Sequence, residues 1–275
     1  MSDARTDASS DQAQAVDCPV PDYTELLTAP GTVALVVGAG QGIGRQAAHA
    51  LAQSGAHVCC VDTDTTRAER IAEEVGGTPY VADATDEEQV VRLVEQVLTD
   101  HGRLDTVVDI VGMARFRSLA DASNEDWQWQ FAVVLDHVRH LIKHTADPLA
   151  THGGSITVVS SIAALSGAQG NGPYAAAKAA VVSLVRTAAV ELAPRGVRVN
   201  TVAPDVVLTP RMEQILDPER RAAFVANSPL GRLAVPSDVA AAILFLSSRL
   251  ASYVTGQVVV LDGGVGARLQ YPDFV

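Results

Sequence analysis

The chain has 275 residues, 48% of them hydrophobic and 19% charged, a composition that fills one large core and excludes a disordered protein. Its formal charge of −12 and pI of about 4.9 argue against a nucleic-acid partner, whose phosphates require a basic face, and against docking on an anionic membrane. No apolar run reaches the length of a membrane span, and the first residues lack the apolar segment of a secretory signal.

Residues 1–20 are rich in Asp, Ser, Ala and Gln without apolar periodicity and read as a flexible extension, followed by one domain over residues 21–275. Short β-branched runs then recur at Thr32–Val37, His57–Asp62, Thr78–Ala82, Thr106–Val111, Ser155–Ser160, Val197–Ala203 and Val258–Asp262. Helix-length stretches separate them. This alternation predicts an α/β fold: a mainly parallel sheet with helices on both faces and strands buried on both sides. Cys59 and Cys60 are adjacent on one such strand, where neighbours point to opposite faces. With Cys18 they read as free thiols rather than a bridge or a metal pair, which makes a reducing cytoplasm the natural compartment.

The first strand runs into "GAGQGIGR", with Gly38, Gly42 and Gly44 opening the next helix. Glycines permit a tight turn and let backbone amides approach a pyrophosphate, which the helix N-terminus stabilises. The second strand ends in Asp62, placed to accept hydrogen bonds from adenosine ribose hydroxyls. The plain alternative is a turn followed by a solvated aspartate. Further on, Tyr174 and Lys178 stand four apart in "GNGPYAAAKAAV". On a helix that spacing puts a phenol and an ammonium on one face, among alanines that allow close approach.

The glycine turn, "VADATD", "VVSS", Tyr-x-x-x-Lys, "VRVNTVAP" and "SYVTGQVVVLDGG" occur in one order. In this the chain resembles the short-chain dehydrogenase/reductase family, from about Thr32 to Gly264. The resemblance implies a single-domain, Rossmann-type doubly wound parallel sheet with helices on both faces, and NAD or NADP as cofactor, held by Gly38, Gln41, Gly42, Ile43, Gly44, Asp62, Asp83, Ala84, Gly112, Tyr174, Lys178, Pro204, Val207 and Thr209. It also implies Ser161, Tyr174 and Lys178 as the catalytic set. Hydride transfer requires a partner acid or base for the alcohol proton, and a free tyrosine near pKa 10 is a poor base at neutral pH. A lysine at about 4 Å favours phenolate by on the order of 4 kcal/mol at an effective dielectric of about 20. Ser160 and Ser161 face opposite ways on a strand ending, so only one donates to the substrate oxygen; the family position is Ser161.

Four departures stand out. Val37-Gly38 replaces the family's Thr-Gly, Asp109-Ile110-Val111-Gly112 its Asn-Asn-Ala-Gly, and Pro204-Asp205 its Pro-Gly. Alignment on Trp127 puts Val134 where the family has its catalytic asparagine; Asp136 and His137 compensate only if the helix register differs. His137, His140 and His144 share a helical face and read as a solvent or subunit-interface stripe, not a metal site. Trp127 and Trp129 read as packing residues.

The leading function is therefore an NAD-preferring oxidoreductase acting on an apolar secondary alcohol or ketone, without metal. The apolar lid expected over residues 205–228 supports such a small-molecule partner. Two alternatives remain: an NADPH-dependent 3-oxoacyl reductase, disfavoured because Gln41 and Thr63 offer no cation to a 2′-phosphate, and a weakly active dinucleotide-binding sensor or partner subunit. The resemblance also implies a homo-oligomer, a tetramer.

Overall fold

A computed structural model describes residues 19–268; most of the expected N-terminal extension, Cys18 and residues 269–275 lie outside them. A short helix not foreseen in the sequence, α1 (Tyr23–Leu27), precedes β1 (Val33–Val37), α2 (Gly42–Gln53), β2 (His57–Asp62), α3 (Thr65–Val75), β3 (Thr78–Val81) and α4 (Glu87–His101). The central part comprises β4 (Thr106–Asp109), α5 (Asn124–Phe131), α6 (His137–Ala150), β5 (Ser155–Val159) and α7 (Gly172–Leu192). Then come β6 (Arg198–Pro204), α8 (Pro210–Ile215), α9 (Pro218–Asn227), α10 (Pro236–Ser247) and β7 (Val258–Leu261).

All seven strands pair in parallel, in the order β3-β2-β1-β4-β5-β6-β7. Chain order reverses between β1 and β4, the crevice where a doubly wound sheet places its ligand. Every residue of β1, β4 and β5 is buried. The edge strands differ from expectation: β3 alternates between half-buried and exposed, and β7 has no buried residue, because each has a sheet neighbour on one side only. Two cores cover the sheet. One joins Leu35, Cys59, Val134, Leu141 and Val185; the other joins Val36, Cys60, Ile71 and Ile243. Each fully buried Val, Leu or Ile contributes about 1.5–3 kcal/mol.

Helix starts follow local chemistry. Asp64, Asp86, Ser123, Thr209 and Asp217 accept from first-turn amides of α3, α4, α5, α8 and α9. Helix α2, by contrast, has Gln41 at its N-cap position with no side-chain cap bond, so its first amides remain free for an anion. Between α5 and α6 the helix widens into a π-type turn over Ala132–Asp136. Cys59 and Cys60 are both buried, and burial pushes both thiols up to about 12, which makes them poor nucleophiles. No helix among the described residues is long and apolar enough to cross a membrane.

Candidate active site

The glycine turn is built for close approach. Gly38 and Gly42 have positive φ, at 85° and 57°. A Cβ on Gly44 would collide with the Gly38 carbonyl, so helix α2 can pack this tightly on β1 only with glycine there. Gln41 and Ile43 lie between these glycines at the uncapped start of α2. Asp62 ends β2 beside them; its Oδ2 accepts from the Gly40 amide at 3.0 Å and its Oδ1 from the Asp64 amide at 3.0 Å. A carboxylate has about four acceptor positions, so capacity remains for two ribose hydroxyls. These features fit an adenosine diphosphate half.

Three arginines surround this turn. Arg45 is taken up by Glu74 at 2.7 Å. Arg67 packs against Gly40, 2.7 Å from where a Cβ would sit, and pairs loosely with Asp64 at 3.6 Å. Arg70, which sequence reasoning missed, donates to the Gly40 carbonyl at 2.8 Å. The missed signal was periodic: Arg70 lies three residues past Arg67, on the same face of α3.

After β3, Asp83 closes a tight turn, accepting from the Thr85 amide at 2.9 Å and hydroxyl at 2.7 Å. Ala84 is buried, and its carbonyl receives His140 Nδ1 at 3.2 Å. Thr209 caps α8, accepting from Met212, and its methyl lies about 3.2 Å from a Cβ placed on Gly42. The segment after β6 therefore reaches back over the glycine turn. Pro204 and Val207 are buried along this path. Asp205 lines a cavity of about 470 Å³ beside β7, and burial and the Asp262 charge push its carboxyl up.

Ser160 and Ser161 do diverge. Ser160 is buried and donates to the Lys178 carbonyl at 3.2 Å, whereas Ser161 faces Tyr174. Tyr174 is the third residue of α7 and Lys178 lies one turn further on, with its Nζ 5.8 Å from the Tyr174 ring centre. The ammonium donates to the Val159 carbonyl at 2.7 Å and packs on Gly112, where a Cβ would stand 2.9 Å from it. Burial lowers Lys178 to about 8, opposed by the charge of Asp109. The expectation that lysine lowers the Tyr174 phenol is not met in this arrangement. Burial raises the phenol, and only the Ser161 hydroxyl acts against it.

The departures from the family pattern converge beneath this site. Val134 is fully buried in the core. Asp136 pairs with Arg139 at 3.8 Å and is nearly half exposed, so it does not compensate. His137 turns inward, and its Nδ1 lies 2.8 Å from Asp109 Oδ2, both side chains fully shielded. The other oxygen, Oδ1, accepts from the Val111 amide at 3.1 Å and shapes the turn leading to Gly112. His137 Nε2 is buried and has no hydrogen-bond partner among the described residues. The histidine stripe is thus not a solvent-facing one. His140 is buried against Ala84, and His144 reaches Glu87 at 3.0 Å. The π-type turn at Ala132–Asp136 shifts the register and rotates the stripe onto β4 and α4. Trp127 packs on Phe131 and Trp129 under the Arg115 guanidinium, as packing residues do.

A family model described as enoyl-(acyl carrier protein) reductase matches residues 38–266. A 3-oxoacyl-(acyl-carrier-protein) reductase of Thermotoga maritima is 38% identical over 241 residues, covering 86% of this chain and 98% of the relative. A cyclopentanol dehydrogenase of Comamonas sp. is 36% identical over 243 residues, covering 86% and 97%. A crystallised 7α-hydroxysteroid dehydrogenase, complexed with NADH and 7-oxo glycochenodeoxycholic acid, superposes with a TM-score of 0.84 at 30% identity, covering 89% and 98%. The ordered motifs, the parallel sheet and these likenesses agree: the chain belongs to the short-chain dehydrogenase/reductase family of oxidoreductases, which bind a nicotinamide cofactor.

Proposed function

We propose that this protein is an NAD-preferring dehydrogenase/reductase that interconverts an apolar secondary alcohol and its ketone. The observation that carries the reading is the meeting of Ser161, Tyr174 and Lys178 beside Gly112, with Asp62 seated on the glycine turn. A bound nicotinamide supplies or accepts the hydride; the chain's own residues handle the proton and the substrate oxygen. Ser161 donates a hydrogen bond to that oxygen. Tyr174 exchanges the proton with it through the phenolic oxygen, and Lys178 holds the ribose.

At neutral pH the raised phenol keeps its proton, the state needed to protonate a ketone oxygen as it is reduced. Oxidation of an alcohol needs the phenolate, so it gains as pH rises. Apolar side chains on the segments after β4, β5 and β6 (Met113, Phe116, Leu165 and, in α8, Ile215) are exposed and favour an apolar substrate.

A second reading, a 3-oxoacyl reductase using NADPH, is favoured by Arg70, whose guanidinium reaches the Gly40 carbonyl beside Asp62, with Arg67 next to it at Asp64. The experiment that separates the two measures kcat/KM for apolar ketones, alcohols and a 3-oxoacyl thioester with each cofactor. Turnover of simple ketones with NADH supports the first reading. Turnover confined to the thioester with NADPH supports the second.

A further inference from the structure

Strand β2 carries Asp62 at one end and a different cluster at the other, five residues and about 16 Å away. His57 and Cys59 are two apart on this strand and share a face. Helix α4 ends on that face at His101. One ligand atom from each of His57, Cys59 and His101 lies within 4.8 Å of the other two. The two imidazoles lie with ring centres 4.6 Å apart, tilted by 41°, and among the described residues no carboxylate is hydrogen-bonded to either. Their hydrogen bonds are to neutral hydroxyls: His57 Nε2 to Thr78 at 2.9 Å, and His101 Nε2 to Tyr80 at 3.1 Å. Tyr80 in turn donates to Asp100 at 2.8 Å, which brings one negative charge to the edge of the cluster.

We propose that His57, Cys59 and His101 form a site for one divalent transition-metal ion of the zinc class, separate from the dehydrogenase site. Two neutral imidazoles and a thiol are the donor set such ions select, and a hard cation such as magnesium would require oxygens instead. Tetrahedral zinc with Zn–S near 2.3 Å and Zn–N near 2.0–2.1 Å holds its ligand atoms about 3.3–3.6 Å apart. Closing the cluster from 4.8 Å therefore requires a shift of about 1 Å, available to two half-buried imidazoles while Cys59 stays fixed in the sheet. The thiol proton leaves for solvent as the thiolate binds, and water takes the fourth position. The bound ion ties the start of β2 to the end of α4, bracing the strand that presents Asp62. Cys60 provides an internal control, since it is equally buried but belongs to the core on the opposite face.

The test is titration of the chelator-stripped full chain with Zn²⁺ and, as a spectroscopic probe, Co²⁺. The expected result is one ion per chain, a thiolate-to-cobalt charge-transfer band with tetrahedral d–d absorption, and a Tm that rises with Zn²⁺. The band should persist in a Cys18→Ser/Cys60→Ser variant and vanish in Cys59→Ser. His57→Gln and His101→Gln should each weaken binding about tenfold or more. Because both imidazoles are half-buried, these two variants keep the test decisive if Cys59→Ser fails to fold. Failure of the native chain to develop the band, its survival in Cys59→Ser, or unchanged affinity in both histidine variants would overturn the proposal.

Discussion

His137 donates from Nδ1 to Oδ2 of Asp109 at 2.8 Å, in a pair with no solvent contact that lies where the family's asparagine arrangement is missing. Asp109 supplies the charge that opposes the burial of Lys178, and its second oxygen fixes the Val111 turn against which the lysine packs. Asp109→Asn keeps the shape and removes the charge, so Lys178 should fall below its value of about 8. A further drop of about one unit would leave roughly a tenth of the lysine charged at pH 8, and kcat/KM there should fall about fivefold. The basic limb of the pH–rate profile should move to lower pH. His137→Ala should cost about 2–3 kcal/mol in unfolding experiments, because it removes a hydrogen bond to a buried charge. An unshifted profile in Asp109→Asn would remove Asp109 from the lysine's electrostatics.

Tyr174→Phe should abolish turnover while leaving NAD affinity within about twofold, since only the phenolic oxygen exchanges a proton with substrate. Ser161→Ala removes one donor to the substrate oxygen and should lower kcat about 10²- to 10³-fold. Steady-state kinetics together with a binding isotherm for each variant separate chemistry from binding. Near-native turnover of Tyr174→Phe would exclude it as the acid/base.

Lys178 also leaves a mark on stability. Its pKa is about 8 when folded against a reference of 10.5, so between these values the unfolded chain binds more protons and stability rises with pH. The cost of burying its charge is fully present below about pH 8 and is relieved as pH approaches 10.5. The total is on the order of 3 kcal/mol. Lys178→Met lacks this term. The difference in unfolding free energy between wild type and variant should therefore change in favour of wild type between pH 8 and 10; a flat difference would contradict the buried charge.

The strands were legible because β-branched runs mark the sheet: His57–Asp62 forms as read, five others differ by one or two residues at one end, and β6 moves by one residue at both ends. Tyr174 and Lys178 were legible because helical spacing fixes their relation without tertiary information. Asp109 and His137 are 28 residues apart, and their contact depends on the π-type turn at Ala132–Asp136, which no local periodicity announces. The same turn accompanies the inward placing of His137 and His140, against a solvent-facing reading of the histidine stripe. Arg70 was missed for a related reason: its contact with Gly40 depends on how α3 packs across the glycine turn. His57 and His101 meet because α4 has the length to return to the start of β2, again a tertiary relation.

The protein should be a homotetramer. Strand β7 is an edge strand with an exposed Val260, the cavity beside it is lined by Leu230 and Leu233, and Val190 on α7 is 77% exposed. Open edges and apolar side chains of this kind are normally covered by a further copy or blunted by charge. Multi-angle light scattering at micromolar concentration should return four times the chain mass. A monomer would contradict the expectation.

Cofactor choice tests the central claim most directly, because it depends on where Asp62 stands and requires the Ser161, Tyr174 and Lys178 set to work. A 2′-phosphate beside the Asp62 carboxylate costs about 1–4 kcal/mol, equivalent to roughly a ten- to thousandfold preference for NAD. Arg67 and Arg70 act in the opposite sense but are engaged at Asp64 and the Gly40 carbonyl. The measurement is kcat/KM for an apolar secondary alcohol and its ketone with both cofactors, in wild type and in Asp62→Ala. The account predicts turnover with NAD(H) at least about tenfold more efficient than with NADP(H), and a collapse of that ratio in Asp62→Ala. Equal efficiencies or an NADP preference in the wild type, or no turnover with either cofactor, would contradict it.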